Sequence, residues 1–391
     1  MRISRTDRSL IGQWWLSIDR PLVSALLALA AAGVVLSLAS SPAVAIRKGL
    51  SPLYFAERQM LFTAAGVAIM LAVSLLSPRA IRRLALALFA ASIAGMIAVV
   101  AVGDEINGAR RWLRIAGFSL QPSELAKPAF VVLAAWALSE SERRPDMPAL
   151  PIAFALLGLL LALLVLQPDI GQSLLVAAVW LALFLMTGRS GLWALGLGGA
   201  VAMGTAAAYA SFHHVRLRID RFLAPVRGDN SQLDRAHQSF AEGGLFGRGP
   251  GEGTIKTVLP DAHTDFVFAV VAEEFGAFAC LVLVLLLATV VLRPLLRAIG
   301  ERDGFKRYGA VGLSLLIGFQ ALINLGTNVG MLPAKGMTLP FVSVGGSSTL
   351  AIAITCGMLI ALSRRRAAPE RFNSPELGPN AGPLGAIRSG A

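Results

Sequence analysis

The sequence predicts an all-α, polytopic membrane protein of about ten transmembrane helices, and two observations lead to this prediction. The 391 residues are 55% hydrophobic and their mean hydropathy is +0.68, which is more apolar than a soluble domain of this size. Apolar runs of about 20 residues recur along the whole chain, and each is long enough to cross roughly 30 Å of hydrocarbon. A large outer, periplasmic loop at residues 212–263 is expected between the seventh and eighth helices.

The apolar runs divide the chain into three parts. Residues 1–20 form a cytoplasmic N-terminal segment, residues 21–363 a single transmembrane domain, and residues 364–391 a tail whose Pro, Gly and Ala content predicts disorder. The eighth run is longer than one span needs, which predicts a tilt or an interfacial start. In chain order, the predicted spans are Pro21–Ser40, Met60–Ser77, Leu84–Val102, Ser123–Leu138, Leu150–Leu166, Ile170–Thr187, Leu192–Ser211, Thr264–Leu292, Tyr308–Leu332 and Leu339–Leu362.

Basic residues indicate the orientation of the chain. Of the 35 Lys and Arg residues, 20 fall in segments that share one side when the N-terminus is placed inside, and this bias is typical of cytoplasmic loops. Both termini are therefore predicted to be cytoplasmic. The formal net charge of +12 does not indicate nucleic acid as a partner, because no DNA- or RNA-binding signature accompanies it.

The other basic residues lie on the predicted outer side, against the usual bias. Two interpretations remain open for the large loop: it binds something anionic, or a long segment is translocated regardless of its charge. For the short outer loops we favour anion binding. Cys280 and Cys356 lie inside apolar runs, where they act as small hydrophobic residues, so neither a disulfide nor a sulfur-based metal site is expected.

The first polar constellation surrounds the start of the fourth predicted span. Glu124 and Lys127 are three residues apart and would face each other on a helix. Ionisable residues inside a span are costly, so a buried Glu–Lys pair indicates a functional cavity; an interfacial cap with a snorkelling lysine is the alternative. Upstream, Arg110, Arg111 and Trp112 form an outer cluster. The tryptophan suits either the aromatic belt of the membrane or stacking on a sugar.

Two further segments carry weaker signals. Asp169 follows Pro168 at the start of a span, where a carboxylate suits a helix N-terminus, and capping is the favoured role. The glycine-rich stretch 243–256 contains Arg248 and Lys256. Its backbone N–H groups are candidates for cradling a phosphate, although a flexible loop would have the same composition.

The sharpest constellation lies at the mouth of the eighth span. His263, Asp265, Glu273 and Glu274 occur within twelve residues, and such a cluster is not expected to face lipid. A carboxylate near the water interface is a candidate general base, whereas a deeper one needs a partner or holds the site. A purely structural cap is the alternative. No dedicated metal cage is predicted, because His263 and Asp265 are poorly spaced for one.

The last constellation precedes the tenth span. Two prolines and a Gly-Gly-Ser-Ser turn that contains Ser347 break the helix, which is tolerated in a membrane where the backbone is buried in protein or lines a cavity. Lys335 adds a cation on the outer side of the same segment.

These segments, in this order, resemble the SEDS family, whose members include FtsW, RodA and SpoVE. The resemblance rests on two specific motifs, Gln121-Pro-Ser-Glu-Leu-Ala-Lys127 and Pro260-Asp-Ala-His-Thr-Asp-Phe266. Leu332-Pro-Ala-Lys-Gly-Met-Thr-Leu-Pro340 and the segment Ser40–Ala45 look like the FtsW branch of alphaproteobacterial type. One departure is Val344, where the family commonly has Tyr.

The resemblance implies a ten-helix peptidoglycan glycosyltransferase of the inner membrane with its active side in the periplasm. Its substrate would be lipid II, its product glycan on undecaprenyl pyrophosphate, and its partners membrane lipids, a class B penicillin-binding transpeptidase and other divisome proteins at the septum. By the same resemblance, Asp265 takes the place of the essential aspartate, Trp112 that of the outer tryptophan, and Glu124 and Lys127 that of the cavity salt bridge.

The expected chemistry is an inverting glycosyl transfer in which Asp265 is the catalytic base. Outer cations would neutralise the pyrophosphate leaving group. A divalent cation, Mg²⁺ or Mn²⁺, shared between Asp265 and the substrate pyrophosphate is left open, and no organic cofactor is expected. A lipid II flippase, a non-catalytic scaffold and a RodA-type elongation polymerase are the alternatives, while an O-antigen ligase lacks the matching motifs.

Overall fold

The structure is a computed structural model that describes residues 9–106, 109–115, 118–144, 146–189, 191–211, 215–217, 219–220, 232–333 and 336–364. Helices dominate this part of the chain, and a small sheet and one short 3₁₀ helix (Ile255–Thr257) accompany them. The helices are α1 (Leu10–Ser17), α2 (Arg20–Arg47), α3 (Tyr54–Ser74), α4 (Pro78–Val102), α5 (Pro122–Arg143), α6 (Ala149–Leu166), α7 (Ile170–Leu185), α8 (Gly191–Ser211), α9 (Gln232–Gly243), α10 (Val267–Ala298), α11 (Gly304–Asn328) and α12 (Gly346–Ser363).

Eight of the described helices are long and apolar enough to cross a membrane by length and composition: α2, α3, α4, α6, α8, α10, α11 and α12. The other two predicted spans coincide with α5, which has 22 residues, and with α7, which has 16. α5 is less apolar because polar side chains occupy both of its ends, and those of its first two turns are buried in the bundle. The all-α membrane fold is confirmed, and the count of ten spans stays a prediction.

The bundle is organised around α5, α11 and α12. These helices are buried on most sides, whereas α4 and α6 bury one face and expose many apolar side chains. α3 packs along α12, α4 along α5, and α11 against α5, α7 and α10. Exposed leucines and valines on the outer helices suit hydrocarbon as the solvent, because a helix satisfies most of its backbone polar groups within itself.

The eighth predicted span contains a break. Gly276 in α10 has φ 79° and ψ −178°, a conformation that is essentially restricted to glycine. Residues 267–274 are buried all round, whereas beyond the break buried residues recur every three or four positions. The excess length of the run is therefore used by a short, fully enclosed helical segment that precedes the lipid-facing part of α10.

A three-stranded antiparallel sheet joins α4 to α5, where the sequence analysis expected only an outer loop. Its strands are β1 (Asp104–Ile106), β2 (Ala109–Ile115) and β3 (Phe118–Leu120). The ring of Phe118 packs edge-on against Phe62 of α3, with 5.8 Å between the centroids. We call this end of the bundle, with the sheet and residues 244–266 and 336–345, the loop end.

The predicted large loop contains regular structure in its second half. α9 and the 3₁₀ helix lie there and pack against α10, while residues 212–214, 218 and 221–231 lie outside the described residues. Residues 1–8 and 365–391, which hold most of the two predicted terminal segments, also lie outside them. α1 is attached to the bundle through Trp14, whose indole Nε1 donates to Ser74 Oγ at 2.9 Å.

Candidate active site at the loop end

Asp265 lies in the turn that precedes α10. Its side chain is partly exposed, and its Oδ2 atom is 3.8 Å from the position that a Cβ atom would take at Gly336. Its backbone carbonyl accepts hydrogen bonds from Nδ2 of Asn324 at 3.0 Å and Nδ2 of Asn328 at 2.9 Å. The carboxylate therefore lies beside the connection between α11 and α12, and its backbone is fixed by α11.

Residues 336–345, the 336–345 segment, form the second side of the site. Ser343 Oγ donates to the carbonyl of Thr264 at 2.6 Å, and the N–H of Val344 donates to the carbonyl of His263 at 2.9 Å. These bonds fasten the segment to the two residues before Asp265. The departure from the family at Val344 leaves this contact intact because the backbone makes it.

The backbone of the 336–345 segment is strained. Phe341 has φ 61°, which is rare for a bulky side chain and persists only where the surroundings over-determine it. Gln59 of α3 donates from Nε2 to the carbonyl of Phe341 and accepts from the N–H of Gly345, each at 3.4 Å. At Gly33 of α2 a Cβ atom would lie only 2.0 Å from the oxygen of Phe341, so this close approach requires glycine.

The Glu124–Lys127 pair forms inside the bundle, on the first turns of α5. Lys127 Nζ lies 3.0 Å from Glu124 Oε1, and both side chains are buried. Gln172 of α7 accepts from Lys127 Nζ at 2.8 Å and donates to Glu124 at 2.7 Å. Lys127 also donates to Oε1 of Gln320 at 3.3 Å, and Gln320 donates from Nε2 to the carbonyl of Thr338 at 3.1 Å. The ion pair is thus connected to the 336–345 segment.

Asp169 caps α7 and also binds the sheet. Its Oδ1 accepts from the N–H of Gln172 at 3.4 Å, and its Oδ2 lies 3.7 Å from Nη1 of Arg111. Burial raises the pKa of the Asp169 carboxyl, and the Arg111 guanidinium opposes this rise. Arg111 further donates from Nε to the carbonyl of Gln167 at 3.1 Å. The structure therefore uses Arg111 to clamp β2 onto the start of α7.

Trp112 and Arg110 lie on β2 and, by strand alternation, project from the face opposite to Arg111. Arg110 is 3.8 Å from Glu105, and Arg114 is 3.0 Å from Asp104, in both cases across the sheet. All four of these charged side chains are about half exposed or more. Ion pairs of this kind are weak, so the two arginines are accessible to an anionic ligand.

Glu273, Glu274 and Lys256 form a buried cluster on the enclosed first part of α10. Glu273 accepts from the N–H groups of Ile255 at 2.7 Å and Lys256 at 3.1 Å. Glu274 is ion-paired with Lys256, whose Nζ also donates to the carbonyl of Ala39 in α2 at 3.1 Å. These side chains are each less than a tenth exposed. Their contacts hold the glycine-rich segment against α10. Glu273 and Glu274 therefore have the structural role that was considered above for the deeper carboxylates, which is to hold the site in place.

The glycine-rich segment does not present a free row of N–H groups. The N–H groups of Arg248 and Gly249 donate to the carbonyls of Glu273 and Glu274, at 2.9 and 3.0 Å. The Arg248 side chain is paired with Glu242 at 2.6 Å. The interpretation that these N–H groups cradle a phosphate is therefore wrong. They donate instead to backbone carbonyls of α10 next to the break at residue 276.

His263 is buried against Phe55, with 4.7 Å between the ring centroids. Its Nδ1 has no hydrogen-bond partner among the described residues. Burial lowers the pKa of His263 to about 4; nearby Lys48 and Arg47 contribute to this shift, and Asp261 opposes it. His263 is thus a neutral packing residue, and its carbonyl contacts the 336–345 segment.

Two predicted site residues remain. Lys335 lies outside the described residues. Ser347 is the second residue of α12 and is buried. Within the described part of the chain, no group of three His, Cys, Asp or Glu side chains is arranged to hold a metal ion.

Sequence reasoning missed the amide side chains of the site. Gln59, Gln172, Gln320, Asn324 and Asn328 are all buried and bind the charged pair, the 336–345 segment or the backbone of Asp265. A signal was present, because residues 320, 324 and 328 follow a four-residue spacing within an apolar run. Polar residues on one face of a membrane helix indicate an interior surface.

An apolar groove of about 240 Å³ lies between α6, α7 and α8. It is lined mainly by leucine, alanine and valine, and Ser173, one turn after Asp169, borders it. Its lining matches hydrocarbon chains rather than polar headgroups.

Comparison with known proteins gives consistent relatives. The chain is 46% identical over 364 residues to the probable peptidoglycan glycosyltransferase FtsW of Caulobacter vibrioides, covering 93% of each chain. It is 33% identical to that of Trichlorobacter lovleyi, covering 88% of this chain and 93% of the relative. Among solved structures, a peptidoglycan synthase complex that coordinates polymerization and crosslinking matches with a TM-score of 0.71 and 29% identity, over 89% of this chain and 98% of that chain. Thermus thermophilus RodA matches with a TM-score of 0.63 and 28% identity, over 89% and 97%.

The bundle and its site define a multi-pass membrane protein whose candidate site lies at one end of the bundle. The family model FTSW_RODA_SPOVE, described as cell cycle protein, matches residues 20–368. The chain therefore belongs to the FtsW/RodA/SpoVE family, and it is FtsW-like. The resemblance inferred from the sequence motifs is confirmed.

Proposed function

We propose that this chain is a peptidoglycan glycosyltransferase that polymerises lipid II into glycan strands and releases undecaprenyl pyrophosphate. The observation that carries the proposal is the placement of Asp265. Its carboxylate is partly exposed at the loop end, its backbone is fixed by two buried amides, and a strained segment adjoins it. Relatives that are named peptidoglycan glycosyltransferases support the reaction.

Asp265 acts as the general base in the proposed step. It removes the proton from the 4-hydroxyl of the acceptor sugar as that oxygen attacks C1 of the donor sugar. The C1–O4 bond forms, the bond from C1 to the pyrophosphate oxygen breaks, and the α-linked donor becomes a β-1,4 linkage. Pyrophosphate leaves as a stable anion, so the donor side needs positive charge rather than a general acid.

The outer sheet supplies groups for the donor headgroup. Arg110 and Arg114 are held only by exposed ion pairs and are available to pyrophosphate oxygens. Trp112, between them on β2, suits stacking on a sugar ring. Lys335 remains a proposed fourth contributor from its position next to Gly336 in the sequence.

In the proposed reaction, a divalent cation binds only together with the substrate. The described residues do not form a metal cage, so a cation would be held by substrate pyrophosphate oxygens with Asp265, and no step is derived through it. Adding a chelator to the polymerisation assay tests the requirement. Unchanged polymer yield under chelation removes the cation from the proposal.

The flippase alternative finds less support. A path for a charged headgroup across the membrane needs polar groups near mid-bilayer. α6, α7 and α8 contain no charged residue, and the buried Glu124–Lys127 pair lies on the first turns of α5 at the loop end.

We further propose that the loop end faces the periplasm, that both termini are cytoplasmic, and that the protein works at the division septum with a class B penicillin-binding transpeptidase. The solved peptidoglycan synthase complex with a TM-score of 0.71 supports a transpeptidase partner. The FtsW-like relatives favour the septal role over a RodA-type role in elongation.

The deciding experiment is glycan synthesis from purified lipid II by the reconstituted protein with its transpeptidase, resolved on a gel. Asp265→Asn should lower polymerisation by about 10²–10⁴-fold, the usual contribution of a positioned base. Asp261→Asn is the matched control, because Asp261 is exposed at φ 51°, a conformation that asparagine tolerates. If Asp265→Asn makes polymer normally, Asp265 is not the general base. If the wild type makes no polymer, the flippase and scaffold interpretations become the favoured ones.

A further inference from the structure

We propose that Gln320, Asn324 and Asn328 form an amide ladder on α11 that positions Asp265 against the 336–345 segment. The inference rests on the proposed function, because it assigns these three amides a part in the reaction that Asp265 performs. None of the three is proposed to touch the reacting atoms. They are positioning residues that act through Asp265 and through the connection between α11 and α12.

The ladder follows from helical geometry. Residues four apart on a helix lie on the same face, one turn above the other, so residues 320, 324 and 328 form one line along α11. All three side chains are at most 2% exposed. A buried amide without partners is costly. Each of these amides has at least one partner outside α11, and Asn328 also donates to the carbonyl of Asn324 within the helix at 2.9 Å.

Asn324 is the central rung and joins both sides of the site. Its Nδ2 donates to the carbonyl of Asp265 at 3.0 Å and to the carbonyl of Met337 at 2.6 Å. One amide nitrogen therefore fixes the separation between the turn that carries the carboxylate and the 336–345 segment. This separation determines where an acceptor hydroxyl meets the base, and a misplacement of about 1 Å is enough to cost a large part of the rate.

Asn328 supplies the second constraint on Asp265. Its Nδ2 donates to the same carbonyl at 2.9 Å, and its Oδ1 accepts from the N–H of Ala269 at 3.0 Å. Two donors on one carbonyl restrict rotation of the peptide plane that follows Asp265. Asn328 thus links the carbonyl of Asp265 to the first turn of α10, and this link limits the directions in which the Asp265 side chain can point.

Gln320 extends the ladder to the buried ion pair. It accepts from Lys127 Nζ at 3.3 Å and donates to Thr338 at 3.1 Å. The Glu124–Lys127 pair is thus one amide away from the 336–345 segment. The ladder gives that pair a physical route by which it influences Asp265.

The test is Asn324→Ala in the reconstituted polymerisation assay, with steady-state rates measured against lipid II concentration. Ser314→Ala is the matched control, since Ser314 is also buried on α11 and its hydroxyl has no hydrogen-bond partner among the described residues. We expect Asn324→Ala to lower kcat at least about 10-fold with KM within about 3-fold, as for an interaction that matters in the transition state. Ser314→Ala should retain wild-type kcat.

A second variant guards against misfolding. Gln320→Met keeps the length of the side chain and removes its hydrogen bonds to Lys127 and Thr338. We expect it to lower kcat in the same way while the thermal unfolding temperature in detergent stays near that of Ser314→Ala. Equal kcat for Asn324→Ala, Gln320→Met and Ser314→Ala overturns the ladder. A loss that follows only unfolding, or that appears in KM alone, also overturns it.

Running Asp265→Asn beside these variants separates the two proposals. If Asp265→Asn is inactive and the ladder variants are normal, the ladder fails and the base stands. If Asp265→Asn polymerises normally, the proposed base fails, and the ladder, which depends on it, fails with it.

Discussion

At the scale of single residues, His263 shows how burial changes the meaning of a polar side chain. In the sequence it stands two residues before Asp265 and suggests acid–base or ligand chemistry. In the structure its ring packs on Phe55, and burial lowers its pKa to about 4. A neutral ring at this position packs well, whereas a charged one would be buried beside Lys48 and Arg47.

This burial predicts a dependence of stability on pH. The unfolded chain binds a proton at His263 near pH 6.5 and the folded chain only near pH 4, so the unfolded state holds more protons between these values and stability falls as the pH is lowered through this window. The loss amounts to at most about 3 kcal/mol. Thermal unfolding in detergent from pH 7 to 4 should show a shallower decline for His263→Gln than for the wild type.

His237→Gln is the control for that series, since His237 is exposed on α9. The His237→Gln protein gives the effect of removing a histidine at the surface, and the decline assigned to His263 is measured against it. A His263→Gln protein with the same slope as the wild type would show that the buried ring is not responsible for the decline.

At the scale of elements, α10 combines two helical segments that serve different surroundings. The part before Gly276 is enclosed and carries Glu273 and Glu274, and the part after it faces lipid on most sides. The glycine-rich segment pairs with α10 at the break, where the N–H of Ala277 donates to the carbonyl of Gly244 at 3.0 Å. The break therefore needs both a glycine conformation and a docked loop.

Gly276→Ala should strongly destabilise the protein. The residue has φ 79°, and a Cβ atom would lie 2.4 Å from the nitrogen of Gly247 and from the oxygen of Leu245. Backbone strain of this kind costs about 1–3 kcal/mol before the steric clash is added. Thermal unfolding in detergent should show a clear loss of stability relative to the wild type.

Gly158→Ala on α6 provides the matched comparison. Gly158 is helical, and a Cβ atom there meets no atom within 4 Å, so the change should be neutral or stabilising by up to about 1 kcal/mol. Equal effects of the two substitutions would mean that the break at Gly276 carries no strain.

At the scale of the whole molecule, the distribution of charge predicts the orientation in the membrane. The net charge of +12 arises mainly from arginines in the segments placed inside, as the positive-inside rule requires. Single cysteines at two exposed positions test this: Glu252→Cys at the loop end and Asp146→Cys between α5 and α6.

A membrane-impermeant maleimide should label Glu252→Cys in intact spheroplasts and Asp146→Cys only after lysis. The wild type is the background control, because Cys280 and Cys356 are buried. The reverse labelling pattern would invert the proposed topology and place the site in the cytoplasm.

The charged residues of the site were predicted from the sequence, whereas its amide side chains were not. Glu124, Lys127 and Asp265 are recognisable in the sequence because an ionisable residue in an apolar run demands an explanation. Asn324 and Gln320 carry no charge, so their cost in the run is small and their partners lie in other segments. The glycine-rich stretch misled in the opposite direction, since its N–H groups bind α10 rather than a ligand.

The sequence by itself determined the membrane-spanning helical fold and the family, and it singled out the aspartate at the mouth of the eighth run as the candidate base. Hydropathy and short motifs depend on residues that are neighbours in the chain, so they can be recognised without knowledge of the fold. Only the tertiary structure decided that α10 breaks at Gly276, that the sheet at the loop end clamps α7, and that three amides of α11 bind the backbone of Asp265, the 336–345 segment or both. These features depend on hydrogen bonds between segments far apart in the chain, and a hydrogen-bond partner becomes known only when packing has brought the two groups within about 3 Å.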